Sequence, residues 1–140
     1  MPEESTTPDL VELTRRAFAP LARRDVEAVI SFFASDAVWD VSTGGLGVFR
    51  GQATIREFME DWFRSYDRIE VDLEEVVHLG GGVVFAVVVQ TGHLAGSDGE
   101  LTLRYGAVDV WVDGLIESVT NYLDIDQARA AAERLAEERG

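Results

Sequence analysis

From Ile69 to Tyr122 the chain reads almost continuously at period two, and this run limits the possible folds more than any other feature. Ile69, Val71 and Leu73 alternate with Glu70, Asp72 and Glu74. "GGG" at 80–82 then turns the chain into "VVFAVVVQTGHL", "AGSDG" turns it into "ELTLRYGAVDVWV", and "DG" turns it into "LIESVTNYLD". Four strands joined by short turns predict an antiparallel meander. "VVFAVVV" is apolar at both parities, and Val108, Val110 and Val112 form an apolar face opposite Tyr105, Ala107, Asp109 and Trp111. Both faces of the central strands therefore require cover.

The remainder carries helical spacing. Leu10, Leu13, Ala17, Phe18 and Leu21 predict a helix with Thr7 as cap and Pro8 as its first residue, and Pro20 predicts a kink or an early stop in it. Asp25 caps a second helix with Val26, Val29, Ile30 and Phe33 along one stripe. A short strand over Val38 to Val41 and the glycine-rich loop "STGGLGVFRG" follow. Ile55, Phe58, Met59, Trp62, Phe63 and Tyr66 then fall at i, i+3, i+4, i+7, i+8 and i+11, the pattern of an amphipathic helix. "DIDQARAAAERLAEERG" ends the chain as a helix with Ile125, Ala128, Ala132 and Leu135 on one side.

The whole is an α+β arrangement of 140 residues, 46% of them apolar, which suits one domain with one core. Residues 1–8 read as a disordered polar tail and 9–140 as the domain. With the helices placed inside a curved sheet, its outer valine face is expected to meet a second copy in an isologous homodimer.

Charge and composition narrow the partners. The net charge of −14 opposes binding to a phosphate backbone or an anionic membrane surface. Cysteine is absent, which removes disulfides and thiolate chemistry. The two histidines do not pair at ligand spacing, so no metal site is expected. No apolar run approaches the roughly 20 residues of a membrane span, and the start of the chain lacks the pattern of a secretory signal. A cytoplasmic location is the expectation. "GLGVFRG" has the spacing G-x-G-x-x-x-G and precedes hairpins, so it does not fit a dinucleotide fingerprint. It reads as a mobile rim loop with Phe49 as a lid.

Asp109 is the anomaly of the meander, a carboxylate at mid-strand between Tyr105 and Trp111 on one face. Either it is a core polar group satisfied by a neighbour or a water, or it is a polar group serving an otherwise apolar pocket. Burial raises a carboxyl pKa by up to about 3–5 units. In the second reading Asp109 is a neutral acid near pH 7.

The order of elements, with "ISFFASDAVWDV", "FRGQATIREFM" and "AVDVWVDGLIESVTNYLD", resembles the nuclear transport factor 2-like superfamily and its SnoaL-like, ketosteroid isomerase-like and limonene epoxide hydrolase-like branch. The resemblance runs from about Leu10 to Leu135. It implies a cone-shaped, curved antiparallel sheet wrapped around three to four helices, the cystatin-like roll, with a deep apolar cavity. It further implies cofactor-free chemistry, as isomerase, cyclase, dehydratase or hydrolase, on an apolar oxygenated metabolite of polyketide, terpenoid or steroid type. The alternative is a noncatalytic ligand-binding or dimerisation module of the same fold. Catalytic candidates are Asp109, Tyr105 and Asn121, and substrate-binding candidates are Trp39, Val41, Phe49, Phe58, Trp62, Phe85, Val87 and Trp111.

The departures from the relatives are equally specific. "VDVWV" places Asp109 where the isomerase has its hydrogen-bonding acid, but the isomerase base aligns with Val41, and Asp40 points to the opposite face. The isomerase tyrosine aligns near Ala17, beside Phe18. Asn121 stands where the epoxide hydrolase has an aspartate, and Trp39 where it has a water-binding tyrosine.

Register sets the neighbours of Asp109. A five-residue "AGSDG" loop pairs Phe85 with Asp109, Val87 with Ala107 and Val89 with Tyr105, leaving His93 as a surface residue at the loop end. In the last hairpin a two-residue "DG" turn sets Asp109 opposite Ser118 and Tyr105 opposite Tyr122. A three-residue loop sets Asp109 opposite Glu117 and Tyr105 opposite Asn121. The resemblance favours the second, with Asn121 facing inward.

Overall fold

The computed structural model describes residues 9–139. The expected tail, and with it the Thr7 cap and Pro8, lies outside the described residues. The first helix α1 (Leu10–Ala22) is capped by Asp9, whose carboxylate accepts from the amides of Val11 and Glu12. It stops two residues past Pro20, where Asp25 N–H reaches back to the Pro20 carbonyl. Asp25 caps α2 (Val26–Ile30) through the Ala28 amide.

The sheet has six strands: β1 (Phe33–Asp40), β2 (Val48–Arg50), β3 (Tyr66–Gly80), β4 (Val83–Leu94), β5 (Glu100–Val112) and β6 (Leu115–Tyr122). Their order is β2-β1-β6-β5-β4-β3. β3 to β6 form the meander expected from the period-two run, whereas β1 pairs with β6 in parallel, so the sheet is mixed and not wholly antiparallel. The loop "GLGVFRG" also differs from expectation, since Val48–Arg50 pair with Val38–Asp40. Between β2 and β3 runs α3 (Gln52–Arg64), which buries Ile55, Met59 and Phe63.

The inner face of the sheet carries Val84, Trp111, Ile116 and Val119, which pack with Ala17 and Leu21 of α1 and Ile55 and Met59 of α3. On the outer face, Phe85, Val87, Val108 and Val110 are covered by Ala128, Ala132 and Ala136 of α4 (Ile125–Arg139). The alanines let the helix lie close to the strands. At the point of closest approach β5 has Gly106, where any side chain would collide with the Ala128 methyl. The chain's own last helix thus covers Val108 and Val110 of the outer valine face that suggested a second copy, while Val112 stays 36% exposed.

Two registers differ from the sequence reading. β4 and β5 pair His93 with Glu100 and therefore Val84 with Asp109 and Val88 with Tyr105, one residue from the expected alignment. The loop is longer than "AGSDG" by Leu94, and one residue of slip exchanges the faces. Phe85 and Val87 consequently point outward.

The last hairpin has the two-residue turn of the first proposed register, but past it follows neither, since Asp109 faces Val119 rather than Ser118 or Glu117. Asp113 and Gly114, at φ 53° and 81°, make a two-residue turn that pairs Trp111 with Ile116. Glu117 is then an extra residue, and beyond this bulge Asp109 faces Val119 and Ala107 faces Asn121. The bulge lets both Ile116 and Val119 face inward.

Candidate functional site

The cone encloses a hollow of about 330 Å³ open at one end. β1 and the loop after it contribute Trp39, Val41, Thr43, Gly44 and Leu46, α3 contributes Phe58 and Trp62, and Tyr66, Gln90, Leu103, Tyr105 and Asn121 line it from the sheet. Deeper in lies a second hollow of about 40 Å³, bounded by Phe18, Leu21, Phe33, Asp109, Ile116 and Val119 among others. Trp39, Trp62, Tyr105 and Asn121 border both, and so form a collar between an outer and an inner chamber.

Asp109 belongs to the inner chamber. It is 1% exposed, and its Oδ1 is buried with no hydrogen-bond partner. Among the described residues no other charged side chain lines either hollow. Burial with no compensating cation pushes its pKa up to about 7. Tyr105, two repeats of the pleat from Asp109 on the same face, has its phenol raised as well, first by burial and then by the Asp109 charge. Its hydroxyl lies 3.5 Å from Gln90 Oε1, a long contact.

The aromatic wall is built in layers. Trp39 meets Phe58 edge to face at 5.2 Å between ring centres, and Phe58 stacks on Phe49 at 4.3 Å. The rim is tied to the sheet by the Thr43 hydroxyl, which donates to the Asn121 carbonyl at 2.6 Å. Asp40 is turned away from the cavity, as its parity requires, and accepts from the hydroxyl and amide of Ser42, which together hold its pKa down.

Of the proposed site residues, the structure brings Trp39, Val41, Phe58, Trp62, Tyr105, Asp109 and Asn121 to the two hollows. Four others are corrections. Phe85 and Val87 pack beneath α4 on the far face. Phe49 is no lid, because β2 fixes it across from Trp39, behind Phe58. Trp111 shares the parity of Asp109 but fills the core, its indole N–H donating to the buried Thr14 hydroxyl at 3.1 Å. Its partner Thr14 comes from α1.

Sequence reasoning missed Gln90, Tyr66, Thr43, Leu46 and Leu103. Gln90 carried a readable signal, since a carboxamide within a valine strand is as anomalous as Asp109. Tyr66 reaches the cavity because Gly92 is bare and leaves room for its ring. His93 lies on the outer face with Arg68 and Glu100. Among the described residues no three His, Asp or Glu side chains gather as a metal-ligating group, and no helix is long and apolar enough to cross a membrane.

A curved sheet closing over helices around a blind apolar hollow defines the cone-shaped, nuclear transport factor 2-like class of α+β folds. Within that class the chain belongs to the SnoaL-like domain family, whose model matches residues 14–119. Solved structures agree on the fold. A Catenulispora acidiphila protein with a ketosteroid isomerase-like fold, crystallised with trimethylamine, is 17% identical, with TM-score 0.72 over 79% of this chain and 84% of that one. TerC, co-crystallised with polyporic acid, is 22% identical, with TM-score 0.70 over 88% and 97%. A Shewanella putrefaciens protein proposed to be a SnoaL-like polyketide cyclase is 12% identical, with TM-score 0.73 over 92% and 98%. A search of curated proteins found no match.

Proposed function

We propose that this protein is an enzyme of acid–base type acting on a small, apolar, oxygenated metabolite such as a polyketide, terpenoid or steroid-like compound, by isomerisation, cyclisation, dehydration or hydrolysis. The observation that carries the reading is Asp109, a carboxyl held in an apolar chamber with one oxygen unpartnered. Native buried polar atoms are nearly always paired, and an exception on a cavity wall is a group that a ligand or an ordered water can satisfy. With its pKa raised to about 7, a large share of Asp109 is protonated near neutrality and can donate to a ligand oxygen on which negative charge develops. The surrounding aromatic and aliphatic side chains exclude water, which strengthens that hydrogen bond. Tyr105 and Asn121, at the collar, orient the ligand. The Catenulispora protein in complex with trimethylamine and TerC co-crystallised with polyporic acid support binding of a small molecule by a protein of this fold.

A second reading, a noncatalytic ligand-binding module, draws on one observation. Among the described residues Asp109 is the only carboxylate lining either hollow, and the family resemblance aligns Val41 with the isomerase base. A donor without a matching base binds and polarises but does not shuttle a proton.

Carbon-detected NMR titration of the Asp109 carboxyl tests the first reading. The expected midpoint is near pH 7, and a midpoint near 4 would remove the neutral donor on which both the mechanism and the polarity of the site depend.

A further inference from the structure

β5 outruns the strand beside it. Its pairing with β6 begins at Gly106, opposite Tyr122, whereas its pairing with β4 runs on to Glu100. From Glu100 to Tyr105 the strand is therefore paired on one side only, and Glu100 to Arg104 are all exposed. In an antiparallel ladder a residue turns both its N–H and its C=O to the same neighbour, and the next residue turns them the other way. Every second residue of this stretch thus directs its backbone groups away from β4. Such an edge is a template for another strand.

The side chains of the edge make it complementary to itself. When two copies of β5 run antiparallel about a twofold axis at Thr102, Thr102 faces the partner's Thr102, Leu101 faces the partner's Leu103, and Glu100 faces the partner's Arg104. Threonine pairs, apolar pairs and opposite charges are each favourable across strands. Moving the axis to Leu101 or Leu103 sets Thr102 against Glu100 or Arg104 and ends this match. The faces agree as well. Thr102 approaches Thr91, and Arg104 bonds Glu74, on the outer face. Leu101 and Leu103 share the inner face with Tyr105, and both are exposed. The strands at the two ends of the sheet do not suit a copy. β2 is three residues long, and β3 carries Glu70, Asp72, Glu74 and Glu75, so a register spanning that stretch sets acid against acid.

We infer that the edge Glu100–Tyr105 is an interface between two copies of this chain, in which the β5 strands pair about Thr102 and the two sheets join into one. The ladder supplies about four to six backbone hydrogen bonds. It also sets the partner's Leu101 beside Leu103, which lines the outer hollow, so each copy adds a leucine to the mouth of the other. Five facing residues bury less than the roughly 1,200–2,000 Å² of a standard interface, so the dimer is weak and depends on concentration. The charge of −14 on each copy opposes association, and salt at about 150 mM confines that repulsion to about 8 Å.

Sedimentation velocity at that salt, from about 10 μM to about 1 mM protein, is expected to pass from monomer toward dimer. Glu100→Arg and Arg104→Glu each set like charges opposite one another, and each is expected to weaken association by about fivefold or more. The double variant exchanges the partners and is expected to restore association to within about twofold. The single variants move the net charge in opposite directions, so a loss in both separates the ladder from general repulsion. Both residues are exposed, and amide spectra of each variant report on the fold.

Thr102→Cys gives a second measurement in a chain with no cysteine of its own. Directly opposed residues of an antiparallel pair have Cα atoms about 4.5–5.5 Å apart, within reach of a disulfide. With oxidised glutathione taking up the two thiol hydrogens, this variant is expected to form a covalent dimer about tenfold faster than Ser97→Cys in the adjoining loop. A chain that is still monomeric at about 1 mM, a double variant no tighter than the single ones, or equal cross-linking at 97 and 102 overturns the inference. So does a dimer that ignores both charge reversals and is lost in Val112→Lys, which would place the contact on the outer face.

Discussion

Asp109 makes the folded state prefer a proton that the unfolded chain does not need. An unfolded aspartate titrates near the ordinary 3.8, whereas the buried one titrates at about 7. A raised folded pKa contributes stability that is complete below the unfolded value and is lost as pH rises through the folded one. The window is therefore about pH 4 to 8, and about three units correspond to something on the order of 4 kcal/mol at most. Asp109→Asn removes the titration while keeping size and polarity. In urea unfolding the variant is expected to gain on the wild type by a few kcal/mol between pH 4.5 and pH 8.5. A stability difference independent of pH would mean an ordinary carboxyl. Asp40 has the opposite sign, since its lowered pKa adds stability that disappears as pH falls. The comparison between the two variants cancels it. At this scale the sequence was informative where a residue type clashed with its strand, as for Asp109 and equally for Gln90. It offered Trp39 only as a lining residue, because an indole lacking a partner is a fact of three dimensions.

Elements were legible where their pattern is local and obscure where pairing is remote. The meander, α3 and α4 follow from periodicity and turn residues within a few positions of each other. The parallel pairing of β1 with β6 joins segments at opposite ends of the chain, and no local signal encodes it. Parity failed in two ways: a loop longer by one residue inverted β4 against β5, and the bulge at Glu117 broke the period of β6. Each misplacement has a mutational signature.

Phe85 has no exposed surface and lies under α4, with the Arg129 guanidinium 4.5 Å from its ring centre. Phe85→Ala is expected to destabilise the fold by about 3–5 kcal/mol in urea while leaving affinity for 2-indanone, a small bicyclic ketone, within about twofold at pH 6 in the folded protein. A large loss of affinity in a variant of native stability would return Phe85 to the cavity. Gly106→Val tests the same contact from the strand. It is expected to cost about 1–3 kcal/mol or more and to raise amide exchange selectively in α4, because the Ala128 methyl leaves no space for a side chain.

At the scale of the molecule, the resemblance carried the cone and its hollow, while the outer cover was misjudged because all the helices were counted as inside. What remains is a contrast between an apolar cavity and a strongly acidic exterior. The charge of −14 surrounds a mouth whose rim includes Leu46 and Leu123, each 61% exposed, and Leu103, 37% exposed. A neutral apolar ligand meets no long-range barrier there, but an anion approaches against the field of the whole protein. The field reaches about 30 Å at 10 mM salt and about 8 Å at 150 mM. In stopped-flow mixing, followed through the fluorescence of Trp39 and Trp62, the association rate of 2-naphthoate is therefore expected to rise several-fold between these salt concentrations. That of 2-acetylnaphthalene, of similar shape and uncharged, is expected to stay constant. Equal salt responses would place the acidic surface too far from the mouth to matter, whereas the expected difference makes the exterior a filter that favours neutral substrates before the inner chamber reads their oxygen.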